Sequence, residues 1–222
     1  SNEKRYAWQD EGFTSFWTTL CRDDFRGRTN GSKRSVLGVG NTIGRGRDVA
    51  CMRHGDTYGT ESFGFASYSK TEGILHQLRG LIGDELFFKA FKEYAHDWAF
   101  KHPYPNDFFN TFSRVAKQDL NPYFRTWFFE TWRLDHAIAG VKVEGNETTV
   151  RIQDMGRAVH PCVVEVTYED DTKDRQIIAA KTWWQGTEAT LKFAGKAVEV
   201  VLDPDIQTLD ADRDNNRWRE GQ

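Results

Sequence analysis

The hydrophobic period of the chain changes once, near Ala137 to Gly140, and this change constrains the fold more than any other feature. Before it, apolar residues recur at steps of three and four, the spacing that places them on one face of an α-helix. From Val141 onward apolar and polar residues alternate, which is typical of half-buried strands. The sequence therefore predicts two domains, a helical one over residues 1–138 and a strand-rich one over residues 139–222.

Four helices are predicted in the first part. One covers residues 5–20, one runs from about residue 69 to 82 and ends at Gly83, and two more begin at Asp84 and at Asn106 or Asp107. The pair Asn121 and Pro122 predicts the start of a further helix that extends to Trp132. The residues predicted to point inward from the last three are aromatic for the most part: Phe87, Phe88, Phe91, Tyr94, Ala95, Trp98, Phe108, Phe109, Phe112, Val115, Phe124, Trp127, Phe128 and Trp132.

Two other stretches complete the predicted organisation. Residues 22–60 are rich in glycine and basic side chains and are predicted to form loops around short pieces of helix. Beyond residue 140, turn residues at Gly145-Asn146, Asp170-Asp171 and Gly195 separate five to seven short strands. Such strands predict a small antiparallel sandwich.

Composition excludes several classes of protein. Thirty basic and thirty-three acidic residues give a net charge of -3, which argues against a chain that binds nucleic acid through bulk charge. No apolar run approaches the roughly 18 residues that a transmembrane helix needs. The three cysteines, Cys21, Cys51 and Cys162, are widely spaced and predict neither a disulfide framework nor a zinc ribbon.

Few residues form recognisable chemical patterns. The chain contains no H-E-x-x-H and no G-x-S-x-G, and the glycines between residues 38 and 46 favour a flexible loop over a phosphate loop. Asp210, Asp212 and Asp214 alternate like calcium ligands, but Asn215 stands where a calcium loop needs glycine. Glu11 lies in an apolar helix and is costly to bury unless it is paired or binds a cation. A buried ion pair and a metal ligand are both open for Glu11.

Two segments together resemble the zinc aminopeptidases of the aminopeptidase N family, the gluzincins. They are W-x-x-E-G-F at residues 8–13 and Y-x-K at residues 68–70, which runs into a helix and a G-D-E-x-F turn. The YFRTWFFETW segment looks like the family's F-x-x-W segment. The resemblance implies an α+β fold, in which the helical part of a thermolysin-like catalytic domain precedes a small antiparallel, immunoglobulin-like β-sandwich.

The resemblance also implies an activity, a cofactor and site residues. The family hydrolyses the amino-terminal peptide bond of peptides by metal-activated water, with zinc held by two histidines of H-E-x-x-H and by the glutamate of W-x-x-E-G-F. Glu11 corresponds to that glutamate and is the expected zinc ligand. Tyr68 corresponds to the family's tyrosine that stabilises the oxyanion, and it is the expected catalytic residue.

This sequence departs from the family because H-E-x-x-H and the upstream G-x-M-E-N segment are absent. We therefore expect a carboxy-terminal fragment of a longer parent enzyme, with the other zinc ligands upstream, that alone binds zinc weakly and hydrolyses no peptide. The alternative is a non-catalytic pseudoenzyme or interaction module derived from a peptidase. A weaker alternative is a relative that hydrolyses another electrophile, such as an epoxide.

Other properties stay open at this level. The residues that select the substrate's amino-terminal side chain are expected upstream, as is any segment that sets the compartment. The resemblance leaves the compartment open, with an exported or membrane-associated bacterial enzyme as one expectation. The oligomeric state and the presence of an intact H-E-x-x-H in the parent are also open.

Overall fold

The computed structural model of the chain describes residues 1–221. These residues form two compact units, Ser1–Thr131 with Gln207–Leu209, and Trp132–Ile206 with the residues from Asp210 onward. The first unit is helical and the second is built of antiparallel strands, so the α+β class is confirmed. The division into the helical carboxy-terminal part of a metallopeptidase catalytic domain over residues 1–138 and an immunoglobulin-like domain over residues 139–222 stays a prediction.

The helical unit contains both α-helices and wider π-helical turns. The α-helices are α1 (Phe13–Phe25), α2 (Gly31–Gly44), α3 (Thr60–Gly64), α4 (Thr71–Ile82), α5 (Asp84–Trp98), α6 (Pro105–Ala116) and α7 (Asn121–Phe124). The π-helical turns are π1 (Trp8–Gly12), which leads into α1, π2 (Phe65–Lys70), which leads into α4, and π3 (Arg125–Phe129), which follows α7. Within residues 1–221 no helix has both the length and the apolar character that crossing a bilayer requires.

Phe108 of α6 lies at the centre of an aromatic core. Its side chain is fully buried, and its ring centroid lies 4.4 Å from that of Phe112 and 4.9 Å from that of Phe13. The other buried aromatic residues of this core include Trp8, Phe16, Phe87, Phe91, Phe109, Phe124, Trp127 and Phe128. Most residues predicted to point inward do so, because helical spacing alone identifies one face of each helix.

Four predicted inward residues differ from expectation. In α5, Ala95 is exposed, and Phe88 and Trp98 are partly exposed at the edges of the buried face. Trp132 was predicted on the last helix, but π3 ends at Phe129 and Trp132 belongs to the strand unit. There the guanidinium of Arg157 lies 4.4 Å from the centroid of the Trp132 ring.

The glycine-rich stretch is a helix, so the prediction of loops over residues 22–60 was wrong there. Helix α2 occupies Gly31–Gly44 and buries Val36, Val39 and Ile43 at steps of three and four. A β-carbon on Gly73 of α4 would lie 3.0 Å from a methyl carbon of Val39, which shows how closely the two helices pack. Tertiary packing therefore outweighs the low helix propensity of glycine.

The second unit is a two-sheet sandwich, as the alternating pattern predicts. Its strands are β1 (His136–Glu144), β2 (Glu147–Asp154), β3 (Cys162–Tyr168), β4 (Lys173–Ile178), β5 (Glu188–Ala194), β6 (Ala197–Leu202) and β7 (Arg217–Arg219). One sheet has the order β1-β2-β5 and the other β4-β3-β6-β7, with antiparallel pairing throughout. Gly145, with φ of 58°, makes the tight turn between β1 and β2.

We expect Phe108→Ala to lower the free energy of unfolding by about 3–5 kcal/mol, because it leaves a cavity at the centre of the aromatic core. Denaturant unfolding followed by tryptophan fluorescence measures this change. Phe100→Ala is the matched control, because the Phe100 side chain is fully exposed. Equal effects of the two substitutions would contradict the assignment of Phe108 to the core.

Candidate active site

Trp8 anchors the segment that carries Glu11. Its indole is buried and packs against Phe128 at 4.4 Å between ring centroids, and it stacks on Phe109 at 5.8 Å. The indole Nε1–H donates a hydrogen bond to Met52 Sδ at 3.1 Å. These contacts hold Trp8 on several sides and so fix the turn π1 in place. Glu11 follows on the same turn, and its side chain is partly exposed.

Gly12 lets π1 approach π2 closely. A β-carbon at this position would lie 2.2 Å from Thr71 Cγ2 and 2.9 Å from the carbonyl oxygen of Ser67. No side chain fits in that space, so glycine is required by the close approach of two backbones. Thr71 cannot easily turn away, because its hydroxyl donates a hydrogen bond to the carbonyl of Ala66 at 2.9 Å.

This approach brings Glu11 and Tyr68 together. The Tyr68 hydroxyl donates a hydrogen bond to the Glu11 carboxylate, and this bond raises the pKa of Tyr68 above its usual value. Burial and the negative charges of Glu11 and Asp10 raise the pKa further. The Tyr68 ring remains 38% exposed, so the hydroxyl and the carboxylate lie at the surface of the unit. A protonated phenol beside a carboxylate can donate to a developing negative oxygen.

Glu11 does not belong to a buried ion pair, one of the two alternatives that the sequence left open. Its side chain is partly exposed, and within residues 1–221 no lysine, arginine or histidine forms an ion pair with it. Its carboxylate contacts the Tyr68 hydroxyl.

The donor chemistry of Glu11 suits a zinc ligand. A peptidase zinc takes three protein ligands from imidazole nitrogen, thiolate sulfur and carboxylate oxygen, with one position open for water. Among the residues that the structure describes, no three His, Cys, Asp or Glu side chains lie close enough together to hold a metal ion. Residues 1–221 therefore fit the role of one ligand of such a site and not that of the complete set.

Two of the alternating aspartates near the carboxyl end, Asp210 and Asp212, have structural roles. Asp210 accepts hydrogen bonds from the backbone N–H groups of Asp212 at 2.9 Å and His136 at 3.1 Å, and Asp212 accepts one from the N–H of Asp214 at 3.1 Å. Burial raises the pKa of Asp210 to about 6. These carboxylates cap backbone turns, which is the ordinary use of aspartate in loops.

Sequence reasoning singled out Y-x-K but missed the partner of its lysine. Lys70 is buried, and its Nζ lies 2.8 Å from Asp48 Oδ1, in a stretch that was predicted to be loop. A lysine on an otherwise apolar helical face signals a buried partner. The sequence pattern does not identify that partner, because an ion pair between distant segments produces no periodic pattern in the sequence.

Comparisons with known proteins concern the sequence and the fold of this chain. The sequence model described as "Peptidase family M1 domain" matches residues 5–127, more than half of the chain. No curated protein sequence matches the chain. Among solved structures, aminopeptidase A of Legionella pneumophila, determined in complex with aspartic acid, has a TM-score of 0.60 at 15% sequence identity. The similarity covers 90% of this chain and 23% of that chain, so it concerns the fold of about a quarter of the larger enzyme.

We expect Gly12→Ala to destabilise the helical unit by about 1–3 kcal/mol, because the added methyl group overlaps Thr71 and the backbone of π2. Denaturant unfolding measures the loss. The matched control is Gly38→Ala in α2, where a β-carbon meets nothing within 4 Å. That substitution should stabilise by about 0.5–1 kcal/mol, because alanine favours the helix. A neutral Gly12→Ala would contradict the close approach of π1 and π2.

We expect Glu11→Gln to lower the pKa of Tyr68 toward that of a free tyrosine. In the native chain, deprotonation of Tyr68 breaks a hydrogen bond and places two negative charges together, which favours the protonated phenol. Glutamine removes the charge, so the phenolate should form at lower pH. NMR titration of ¹³C-labelled tyrosine measures the pKa, and Tyr68→Phe identifies the resonance. An unchanged or higher pKa in Glu11→Gln would contradict the contact.

Proposed function

The chain belongs to peptidase family M1, and on this premise we propose that it supplies part of the active site of a zinc-dependent aminopeptidase. The reaction is hydrolysis of the amino-terminal bond of a peptide by metal-activated water. The observation that carries the proposal is the contact between the Glu11 carboxylate and the Tyr68 hydroxyl, which unites the two family segments at one surface. Neither segment alone would indicate a site.

Glu11 is proposed as a zinc ligand. Zinc, the metal typical of this family, supplies a Lewis acid that polarises the scissile carbonyl and activates water when it is bound. Glu11 would offer a carboxylate oxygen to the metal. Packing of Trp8 and the close approach at Gly12 determine the position of its segment. The remaining ligands would come from residues outside this chain, since residues 1–221 contain no complete donor cluster.

Tyr68 is proposed as the donor to the oxyanion that forms when water attacks the peptide carbonyl. The phenol of a tyrosine is protonated at neutral pH, as a hydrogen-bond donor requires, and the contact with Glu11 raises the pKa of Tyr68 further. The hydroxyl is held near the proposed ligand before substrate binds, so little reorganisation is needed as negative charge develops. Preorganised donors of this kind commonly contribute about two to three orders of magnitude to kcat.

Peptides are the substrates that the family implies, and the chain by itself is proposed to hydrolyse none of them. An incomplete set of zinc ligands leaves water unactivated, so the oxyanion donor has no oxyanion to stabilise. The alternative of a binding module that retains the peptidase fold without catalysis predicts that Glu11 has no effect on metal content in any longer form of the protein.

We expect two single substitutions to separate the roles of Glu11 and Tyr68 in the full-length enzyme that contains this chain. Glu11→Gln should lower zinc content and activity together, because a neutral amide is a poor zinc ligand. Tyr68→Phe should retain zinc and lower kcat by on the order of a hundredfold, because it removes only the hydroxyl. Zinc analysis and steady-state kinetics on an aminoacyl amide substrate measure both effects.

Matched controls are Glu85→Gln, which neutralises an exposed carboxylate of α5, and Tyr168→Phe, which removes a hydroxyl from the sandwich. Both should keep normal zinc and kcat. Normal zinc and full activity in Glu11→Gln or in Tyr68→Phe would overturn the corresponding assignment. Equal zinc in all variants and no activity in the native enzyme would favour the non-catalytic alternative.

A further inference from the structure

Lys70 ends the π-helical turn that carries Tyr68, and its ammonium group is buried. The residue is 1% exposed, and Nζ lies 2.8 Å from Oδ1 of Asp48, whose side chain is 8% exposed. Nζ also donates hydrogen bonds to the carbonyl oxygens of Val49 at 2.9 Å and Glu130 at 3.4 Å. One cation therefore links three parts of the chain that are far apart in sequence.

Stability alone does not account for this arrangement. Transfer of a lysine and an aspartate from water to the interior costs desolvation energy that their attraction often fails to recover. Burial accordingly raises the pKa of Asp48, although the charge and hydrogen bond of Lys70 oppose the rise. Apolar side chains of similar volume would serve stability as well, so the pair is better suited to specifying one geometry.

The segment next to Asp48 contacts all three π-helical turns. Cys51 Sγ lies 3.4 Å from the carbonyl oxygen of Ala66 in π2, and the Met52 N–H donates to the carbonyl of Phe128 in π3 at 2.9 Å. Met52 Sδ accepts the hydrogen bond from Trp8 in π1. The Tyr58 hydroxyl contacts the carbonyls of residues 50 and 51 at 2.8 and 2.9 Å and so holds the segment itself.

We propose that the buried Asp48–Lys70 ion pair is a positioning element for Tyr68. It fixes π2 against residues 48–52 and against the end of π3, and so directs the Tyr68 hydroxyl toward Glu11. Lys70 contacts no substrate in this scheme and acts only through the turn that it terminates. The proposal rests on the proposed function for its kinetic consequence but not for its structural one.

A double-mutant cycle tests the kinetic consequence in the zinc-loaded, full-length enzyme that contains this chain. The pair is replaced by apolar residues of similar size, Asp48→Leu with Lys70→Met, which leaves no unpaired buried charge. We expect normal zinc, KM within about twofold, and kcat lowered by on the order of tenfold or more, because a small displacement of a catalytic group is costly. Tyr68→Phe is then added to both backgrounds.

If the pair positions Tyr68, Tyr68→Phe should lower kcat by on the order of a hundredfold in the native background but by about tenfold or less in the apolar one, because the loss of the pair already removes part of the contribution of Tyr68. The same hundredfold loss in both backgrounds would overturn the proposal, because the Tyr68 hydroxyl would then contribute equally to kcat with and without the ion pair. Should the double substitution fail to fold, Asp48→Asn provides the same comparison with only the anion removed.

A spectroscopic measurement on the 222-residue chain tests the structural consequence without activity. In Asp48→Leu/Lys70→Met the NMR-measured pKa of Tyr68 should fall toward its value in Glu11→Gln. The matched control Glu147→Leu/Lys192→Met removes an exposed ion pair of 2.9 Å and should leave that pKa unchanged. An unchanged Tyr68 pKa in the apolar variant would overturn the proposal.

Different results would overturn the catalytic role of Tyr68 and the positioning role of the Asp48–Lys70 pair. One outcome is that the Tyr68 pKa shift is lost in Asp48→Leu/Lys70→Met while Tyr68→Phe leaves kcat unchanged in the native background. This outcome would support positioning and overturn the catalytic role of Tyr68. A retained pKa shift together with a hundredfold effect of Tyr68→Phe in both backgrounds would support the catalytic role and overturn positioning.

Discussion

The candidate site depends on one close approach, that of π1 to π2 at Gly12. Only at a residue without a side chain can the backbone before α1 come this near to Thr71 and Ser67. The result is a hydrogen bond between the side chains of Glu11 and Tyr68, which stand on different turns. This contact raises the pKa of Tyr68, while the Glu11 side chain stays partly exposed.

The wider turns present these side chains differently from a regular helix. A π-helical turn inserts an extra residue into the helix and shifts the face on which later residues lie, and such turns are frequent at functional sites. They are held in place by dense packing, since Trp8 lies among Phe109 and Phe128 and the neighbouring Phe13 contacts Phe108. A rigid aromatic core below a partly exposed pair of polar side chains gives the precision that a catalytic arrangement needs.

Carboxylates that have a structural role elsewhere in the molecule differ from Glu11 in their hydrogen-bond partners. Asp210 is buried and satisfied by backbone N–H groups, and Glu165 accepts hydrogen bonds from Lys173 at 2.7 Å and from Arg175 at 2.6 Å. Glu11 has neither kind of partner among residues 1–221, and its contact is a neutral hydroxyl. The alternating aspartates from Asp210 resemble a calcium loop in spacing only, and the folded chain uses this spacing to close turns.

The sequence by itself determined the class of each half, because a period of 3.6 or 2 is a property of consecutive residues. It determined most of the buried aromatic faces, and the spacing around Glu11 and Tyr68 was sufficient to name the family that those segments resemble. The tertiary structure decided the contacts between distant residues, which no local sequence pattern contains. Packing on α4 makes a helix of the glycine-rich stretch, and the pairing of Asp48 with Lys70 joins segments far apart in the chain. Contacts between distant residues depend on how helices meet in space, and only the folded chain brings them together.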